Sequence, residues 1–157
     1  MKTHFNPKNN PRVIIIQKLY GKFYNEDNEL EFPKHRFKKF IKDIAQGLLD
    51  SALNLIPKSN IIKIIKVPGV FEIPVTISKN IKKYDAFLAL GCVIKGQTPH
   101  FDFISQASTN AIMDLSIHNK KPIGNGIITC LNMNQAKLRR KKGAEAASAV
   151  NSVLSQK

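Results

Sequence analysis

The chain has 157 residues, of which 43% are hydrophobic and 23% are charged. This is enough to bury the core of one domain, and too apolar for a disordered tail protein. Its 25 basic and 11 acidic residues give a formal net charge of +14, which raises the hypothesis of a nucleic-acid-binding protein. However, 13 basic residues fall in positions 1–66 and 12 in positions 67–157, and this even spread disfavours a specific nucleic-acid partner.

The cysteine content and the hydropathy of the chain narrow the class of protein further. Cys92 and Cys130 form no CxxC motif, so we expect neither a disulfide scaffold nor structural zinc, and we expect a cytoplasmic protein. No apolar run approaches the ~20 residues of a membrane span, so no membrane partner is expected. The dense basic run Lys137–Lys142 is either a solvated helix end or an anion site.

The first part of the chain predicts a loose arm, a strand and a helix. Residues 1–11 are polar and contain two prolines, which is typical of an arm. The run Val13–Ile16 is continuously apolar, as expected for a strand buried on both faces. After a loop over residues 25–34, apolar residues follow helical spacing from His35 to Leu53.

The rest of the chain alternates strands and helices. We expect strands over residues 61–67, 85–93 and 123–130, and helices over about 72–82, 99–118, 132–141 and 143–155. Such alternation predicts a parallel sheet with helices on both faces. The predicted fold is therefore a three-layer α/β/α sandwich around a four-stranded parallel sheet, flavodoxin-like, in a single domain over residues 1–157.

Ligands of such sheets bind beyond the carboxyl ends of the strands. This rule selects residues 20–25, 68–72, 92–100 and 125–132. Within them, Thr98 is a suitable helix N-cap, Pro99 suits the first helical position, and Gly96 allows a ligand close to the backbone. The segment is therefore either an ordinary capped helix or a phosphate or carboxylate site, which a helix N-terminus at a strand exit favours. His100, in the first turn of that helix, is either a surface or capping residue or a group that transfers protons near neutral pH.

Several longer motifs lie on these loops and on the fourth strand. They are Val67–Pro74 (VPGVFEIP), Gly91–Asp102 (GCVIKGQTPHFD), Pro122–Thr129 (PIGNGIIT), Gln135-Ala136 with Arg139, and Lys142–Ala147 (KGAEAA). In the same order, they resemble the motifs of lumazine synthases, among them VPGAFElP and GxVIRGxTxHfdy. The resemblance extends from about residue 12 to residue 155.

The resemblance implies a transferase that needs no cofactor and no metal. It implies condensation of 5-amino-6-(ribitylamino)uracil with 3,4-dihydroxy-2-butanone 4-phosphate to 6,7-dimethyl-8-ribityllumazine, the penultimate step of riboflavin biosynthesis, with release of phosphate and water. It implies His100 as the proton-transfer residue. The implied substrate-binding residues are Gln97, Thr98 and Arg139 for the phosphate, Val70, Phe71, Glu72, Cys92, Val93 and Ile94 for the pyrimidine and ribityl groups, and Phe23 as the stacking aromatic.

The chain also departs from the family pattern. A shifted register would give the stacking role to Tyr20 instead of Phe23, and the loop from Glu26 to about His35 resembles an insertion. Asn125 stands where the family often has a phenylalanine that contacts the neighbouring subunit's ligand. Lys95 replaces the usual arginine, and the stretch from Arg139 to Lys142 is a few residues short.

Three functional hypotheses follow, together with an expected assembly. The chain is a lumazine synthase, a non-catalytic relative that binds a flavin or lumazine, or a basic nucleic-acid-binding protein. His100 and Arg139 favour the first, since a passive binder needs neither. The resemblance further implies a homo-oligomer, with a pentamer expected rather than a capsid, whose small-molecule site is completed between neighbouring subunits.

Overall fold

The computed structural model describes residues 12–18 and 34–156, with side chains described for residues 13–16 and 42–156. The predictions for the arm 1–11, for Phe23 and Tyr20, and for the insertion up to residue 33 lie outside these residues. Four strands are described: β1 Arg12–Lys18, β2 Ile61–Val67, β3 Ala86–Ile94 and β4 Ile123–Cys130. Five helices are described: α1 Lys34–Leu53, α2 Glu72–Asn80, α3 His100–Asn119, α4 Met133–Arg139 and α5 Gly143–Leu154.

The four strands form one parallel sheet in the order β2-β1-β3-β4. In this order β1 and β3 are central, which explains their composition, because a central parallel strand is covered by helices on both faces. Residues 86–93 of β3 are all buried. In β1, Val13 and Ile15 pack on one face of the sheet, and Ile14 and Ile16 pack on the other.

The two faces carry different helix pairs. Ala52 of α1 and Ala146, Ala147 and Val150 of α5 cover the face of Val13 and Ile15. Helices α2 and α3 cover the opposite face through Ile73, Ile77 and Ile112. This is the predicted three-layer α/β/α arrangement, and the alternating elements in the sequence predicted it correctly.

A smaller apolar cluster lies where β3 and β4 end. It joins Ile44 and Leu48 of α1 to Cys92, Ile128, Cys130 and Ala136. Because Ala136 belongs to α4, this cluster seats the short fourth helix near the carboxyl ends of the strands. The carboxyl edge of the sheet is therefore bordered by α4 as well as by the loops.

Candidate active site

The loop after β3 is fixed to the sheet at its first residue. The Lys95 amide donates to the Cys130 carbonyl at 2.8 Å, which ties the loop to the end of β4. Beyond this bond, Gln97 and Thr98 are exposed, and His100 is the exposed first residue of α3. The helix N-terminus and the histidine therefore lie together at the carboxyl end of β3, where the sequence predicts an anion site.

The cap of α3 differs from the sequence-based prediction. Pro99, not Thr98, is the N-cap residue, with φ −67° and ψ 0°, and no side chain caps the helix. The Asp102 and Phe103 amides donate to the Pro99 carbonyl at 3.0 and 3.2 Å. The φ of Pro99 is compatible with a helix, but its ψ of 0° is not helical, so the first helical residue is His100 and Thr98 lies one residue further from the helix. The prediction of Thr98 as N-cap is wrong.

The loop is open to solvent at Gly96. A Cβ placed on Gly96 meets no atom of the described residues within 4 Å, and none of the described glycines has a positive φ. Neither backbone conformation nor packing within the described part of the chain therefore requires glycine at this position. An approaching anion, in contrast, would come closest to the backbone here.

A cation is held beside this loop. Lys95 Nζ lies 4.0 Å from Asp102 Oδ2 and 5.8 Å from the centroid of the Phe101 ring. Both charged side chains are about half exposed, at 47% and 58%, so the pair is weak in water. This contact was not predictable from the sequence, because seven positions and a change from loop to helix separate Lys95 from Asp102.

The turn after β2 supplies a second wall at the same sheet edge. Val70 is buried in the core at 2% exposure, whereas the Phe71 ring is 57% exposed. Glu72 begins α2, where a carboxylate suits the positive end of the helix dipole. Its side chain folds back over Gly69, because a Cβ on Gly69 would collide with Glu72 Oε2. Phe71 and Glu72 are thus available to a ligand, and the Val70 side chain is not.

The three residues predicted from β3 have side chains in or against the core. Cys92 and Val93 are buried at 7% and 6% exposure, and Ile94 packs against the cluster that contains Cys92. Cys92 and Val93 could therefore contact a ligand only through backbone groups, whereas the side chain of Ile94 is partly exposed. Neither Cys92 nor Cys130 forms a disulfide.

Asn125 and Arg139 form their hydrogen bonds with β4 rather than with these loops. Asn125 is the third residue of β4, pairs with Ala89 and is exposed. Its Oδ1 accepts from the Ile127 amide at 3.0 Å. Residues 125–130 are therefore strand, and the loop expected there begins only after Cys130. Arg139 Nη1 donates to the Thr129 carbonyl at 3.2 Å.

The basic run is neither one solvated helix end nor one cluster. Lys137 and Arg139 end α4, Arg140 and Lys141 form the following turn, and Lys142 is the N-cap of α5. Lys142 Nζ pairs with Glu145 Oε2 at 2.8 Å. Arg139 and Lys142 therefore contact different neighbours. The two alternatives for the run, a solvated helix end or an anion site, have to be decided for each residue separately.

The described residues suit an anion and a ring better than a metal. Within residues 12–18 and 34–156, no three His, Cys, Asp or Glu side chains come together as a metal centre would require. The exposed groups at the carboxyl edge include a lysine, a histidine, a helix N-terminus, a carboxylate and an aromatic ring.

In the same described residues, no helix is long and apolar enough to cross a membrane.

Comparison with known proteins gives the same family throughout. The family model of 6,7-dimethyl-8-ribityllumazine synthase matches residues 34–157. The 6,7-dimethyl-8-ribityllumazine synthase of Bartonella bacilliformis is 38% identical over 139 residues, which cover 85% of this chain and 78% of that protein. The protein of the same name from Cutibacterium acnes is 41% identical over 120 residues, with 71% and 72% covered.

A third relative agrees with these two. The 6,7-dimethyl-8-ribityllumazine synthase 1 of Rhodopseudomonas palustris is 40% identical over 129 residues, which cover 74% of this chain and 79% of that protein. These matches favour the catalytic interpretation over a passive flavin binder or a nucleic-acid-binding protein. The order of motifs, the parallel α/β sheet and the matches agree, and the chain belongs to the 6,7-dimethyl-8-ribityllumazine synthase family.

Proposed function

We propose that this chain condenses 5-amino-6-(ribitylamino)uracil with 3,4-dihydroxy-2-butanone 4-phosphate to 6,7-dimethyl-8-ribityllumazine. The observation that carries the proposal is the loop after β3. It combines the N-terminus of a 20-residue helix, Lys95 and His100 at the carboxyl end of a central strand. A helix N-terminus and a nearby cation suit a phosphate, and an exposed histidine is suited to move protons near pH 7.

Each group then has a role in the reaction. The amine of the uracil attacks the ketone and water leaves to form an imine. Phosphate is then eliminated, and ring closure releases a second water. The loop at Gln97 and Thr98 holds the leaving phosphate, and His100 transfers protons to and from the reacting oxygens. Phe71 and Glu72 face the pyrimidine and ribityl groups, while Val70, Cys92, Val93 and Ile94 contribute backbone and shape.

The direct test mixes purified protein with both substrates and follows lumazine absorbance. We expect formation of 6,7-dimethyl-8-ribityllumazine well above the spontaneous rate, without added metal or cofactor. A rate equal to the spontaneous background would overturn the proposed activity. As the place of the reaction we propose the cytoplasm, the compartment that the cysteine usage of the sequence leads us to expect.

We also propose that the active form is a symmetric homo-oligomer, a pentamer by the family resemblance. Apolar exposure supports this: Phe71, Val75 and Phe103 are 57%, 52% and 66% exposed. The first two line a groove of about 390 Å³ between α2 and α3, and Phe103 lies in the first turn of α3. Exposed apolar surface of this kind marks an interaction site. Light scattering measures the assembly, and an active monomer would contradict it.

The proposed oligomer shares its site between copies. Asn125 and Arg139 face the free edge of β4, whereas the loop after β3 leaves from its opposite side. A neighbouring copy can therefore meet Arg139 more readily than the chain's own loop can. We expect that mixing His100→Ala and Arg139→Ala chains, after dissociation and reassembly, restores up to about a quarter of the wild-type rate, because random mixing makes that share of interfaces intact. The rate is measured with butanone phosphate well below its KM, where the Arg139→Ala protein by itself should be at least about tenfold slower than wild type. No recovery would contradict a shared site.

A further inference from the structure

The outer edge of β4 is an edge of the sheet with defined hydrogen-bond directions. Along a strand, successive residues point their backbone groups to opposite sides. The Pro122 carbonyl accepts from the Phe87 amide, and the Cys130 carbonyl accepts from the Lys95 amide. The backbone amides and carbonyls of the even-numbered residues of β4 therefore point toward β3. The backbone amides and carbonyls of residues 125, 127, 129 and 131 therefore point outward, away from β3.

Three of these outward groups have side-chain partners. The Ile127 amide donates to Asn125 Oδ1 at 3.0 Å, and the Thr129 carbonyl accepts from Arg139 Nη1 at 3.2 Å. The Leu131 amide donates to Gln135 Oε1 at 2.8 Å. Two of the three partners, Gln135 and Arg139, belong to α4. This short helix is therefore attached to the strand edge at two successive outward groups.

Gln135 is itself fixed from both ends. Its backbone amide donates to Oδ1 of Asn132, the N-cap of α4, at 3.0 Å, while its side-chain Oε1 accepts from the Leu131 backbone amide. The arrangement resembles a capping box, in which the N-cap residue and the third helical residue exchange hydrogen bonds. A helix of seven residues is unstable by itself. The direction of α4 therefore depends on such attachments.

Arg139 follows Gln135 by one helical turn on the same face of α4. One of its five donors bonds the Thr129 carbonyl, which leaves four for an anion. We propose that Gln135 is a positioning residue: by fixing the first turn of α4 to the end of β4, it sets where the Arg139 guanidinium lies. The inference rests on the proposed function, because it takes Arg139 as a ligand of the substrate phosphate.

The test compares four variants of the full-length protein with inorganic phosphate as the probe. Gln135→Met keeps the length of the side chain and removes the acceptor for Leu131. Gln135→Ala removes the acceptor without adding apolar surface, and serves as the second variant if Gln135→Met does not fold. Asn134→Met is the matched control, because Asn134 is an exposed neighbour on the same helix. Arg139→Ala reports on the phosphate assignment itself.

The expected result is specific to phosphate. Loss of one neutral hydrogen bond corresponds to about a two- to tenfold change. We expect Gln135→Met to raise the inhibition constant of phosphate and the KM for the butanone phosphate by this factor. The KM for the pyrimidine and kcat stay unchanged, and Asn134→Met alters none of these constants.

A double-variant cycle separates positioning from general damage. In the Arg139→Ala background, Gln135→Met should add no further loss of phosphate affinity, since Gln135 acts through Arg139. An equal loss in both backgrounds would overturn the positioning role. If Arg139→Ala weakens phosphate but Gln135→Met does not, the inference alone fails. If Arg139→Ala has no effect on phosphate, the phosphate assignment of Arg139 fails, and the inference fails with it.

Discussion

The loop that follows β3 and the segment from β4 to α5 both contain glycines, and the two regions use them differently. At Gly96 a Cβ would meet no described atom within 4 Å. At Gly124 a Cβ would lie 2.5 Å from the Ala146 carbonyl oxygen and 2.6 Å from Leu88 Cδ2. Glycine in β4 therefore allows α5 to pack on the sheet, whereas glycine in the loop serves no packing contact among the described residues.

The difference separates groups that stabilise the fold from groups that are available to a ligand. The packed region is closed by α5 at Ala146 and Val150, which are buried at 4% and 2% exposure. The loop keeps Gln97, Thr98 and His100 exposed beyond the bond from the Lys95 amide to the Cys130 carbonyl. Substitutions in the loop should therefore change the kinetic constants and leave the free energy of unfolding unchanged. Substitutions of packed residues should lower the free energy of unfolding and leave the kinetic constants of the folded protein unchanged.

The largest effect is expected for His100→Ala. His100 is exposed at the start of α3, so its loss should leave the thermal midpoint nearly unchanged. Loss of the proton-transfer group should lower kcat by about ten- to ten-thousand-fold. Steady-state kinetics and a thermal melt on the same sample measure both quantities. Unchanged turnover would mean that His100 is only a residue of the helix start.

Arg139→Ala sharpens the comparison, because Arg139 belongs to the segment from β4 to α5 and is nevertheless proposed to bind the substrate phosphate. A hydrogen bond to a charged group contributes about 1.5–3 kcal/mol, so we expect at least a tenfold rise in the KM for the butanone phosphate. Pyrimidine binding should be nearly unchanged. Arg140→Ala is the control, since Arg140 is rotated about 100° around the helix axis. Identical kinetics for both variants would move the phosphate role to Lys95 or Lys142.

Gly124→Ala tests the packed region itself. The added methyl group would contact the Ala146 backbone, and overpacking of a core costs about 1–3 kcal/mol of unfolding free energy. Urea denaturation should show this loss as a lower midpoint, while kcat of the remaining folded protein stays close to wild type. A wild-type midpoint would mean that α5 moves aside without cost.

Gly96→Ala is the matched substitution in the loop and should have the smallest effect. We expect an unchanged urea midpoint, because the methyl group meets no described atom within 4 Å. If the phosphate approaches the backbone here, the methyl group should raise the KM for the butanone phosphate by about two- to fivefold, or about 0.5–1 kcal/mol. A destabilised Gly96→Ala protein with normal kinetics would remove the distinction between the two regions.

The fold was largely predictable from the sequence. The bounds of β2 and β4 agree with the expected ranges 61–67 and 123–130. These bounds follow from β-branched runs ended by proline, glycine or polar residues, which are local signals. The cap of α3 was misplaced by one residue, because Thr98 and Pro99 are both suited to a helix start and only the backbone conformation decides between them.

The candidate site was predictable in part. The position of His100 at the end of β3 follows from the rule that ligands bind beyond the carboxyl ends of parallel strands. The buried side chains of Cys92 and Val93 and the bond of Arg139 to Thr129 do not follow from it. The pattern Asn132-x-x-Gln135 could have suggested a capping pair, but not that Gln135 bonds Leu131 at the edge of the sheet.

What the sequence determined by itself is the order of elements, the parallel sheet and the family, because periodicity, turn residues and ordered motifs are local properties of the chain. What only the tertiary structure decided is which side chains face a ligand. Strand order makes β2 and β4 the edges of the sheet, and Asn125, Gln135 and Arg139 lie along the β4 edge. The bonds of Asn125 and Gln135 span only two and four positions, but their place at an edge of the sheet follows from the strand order, which no short stretch of sequence encodes.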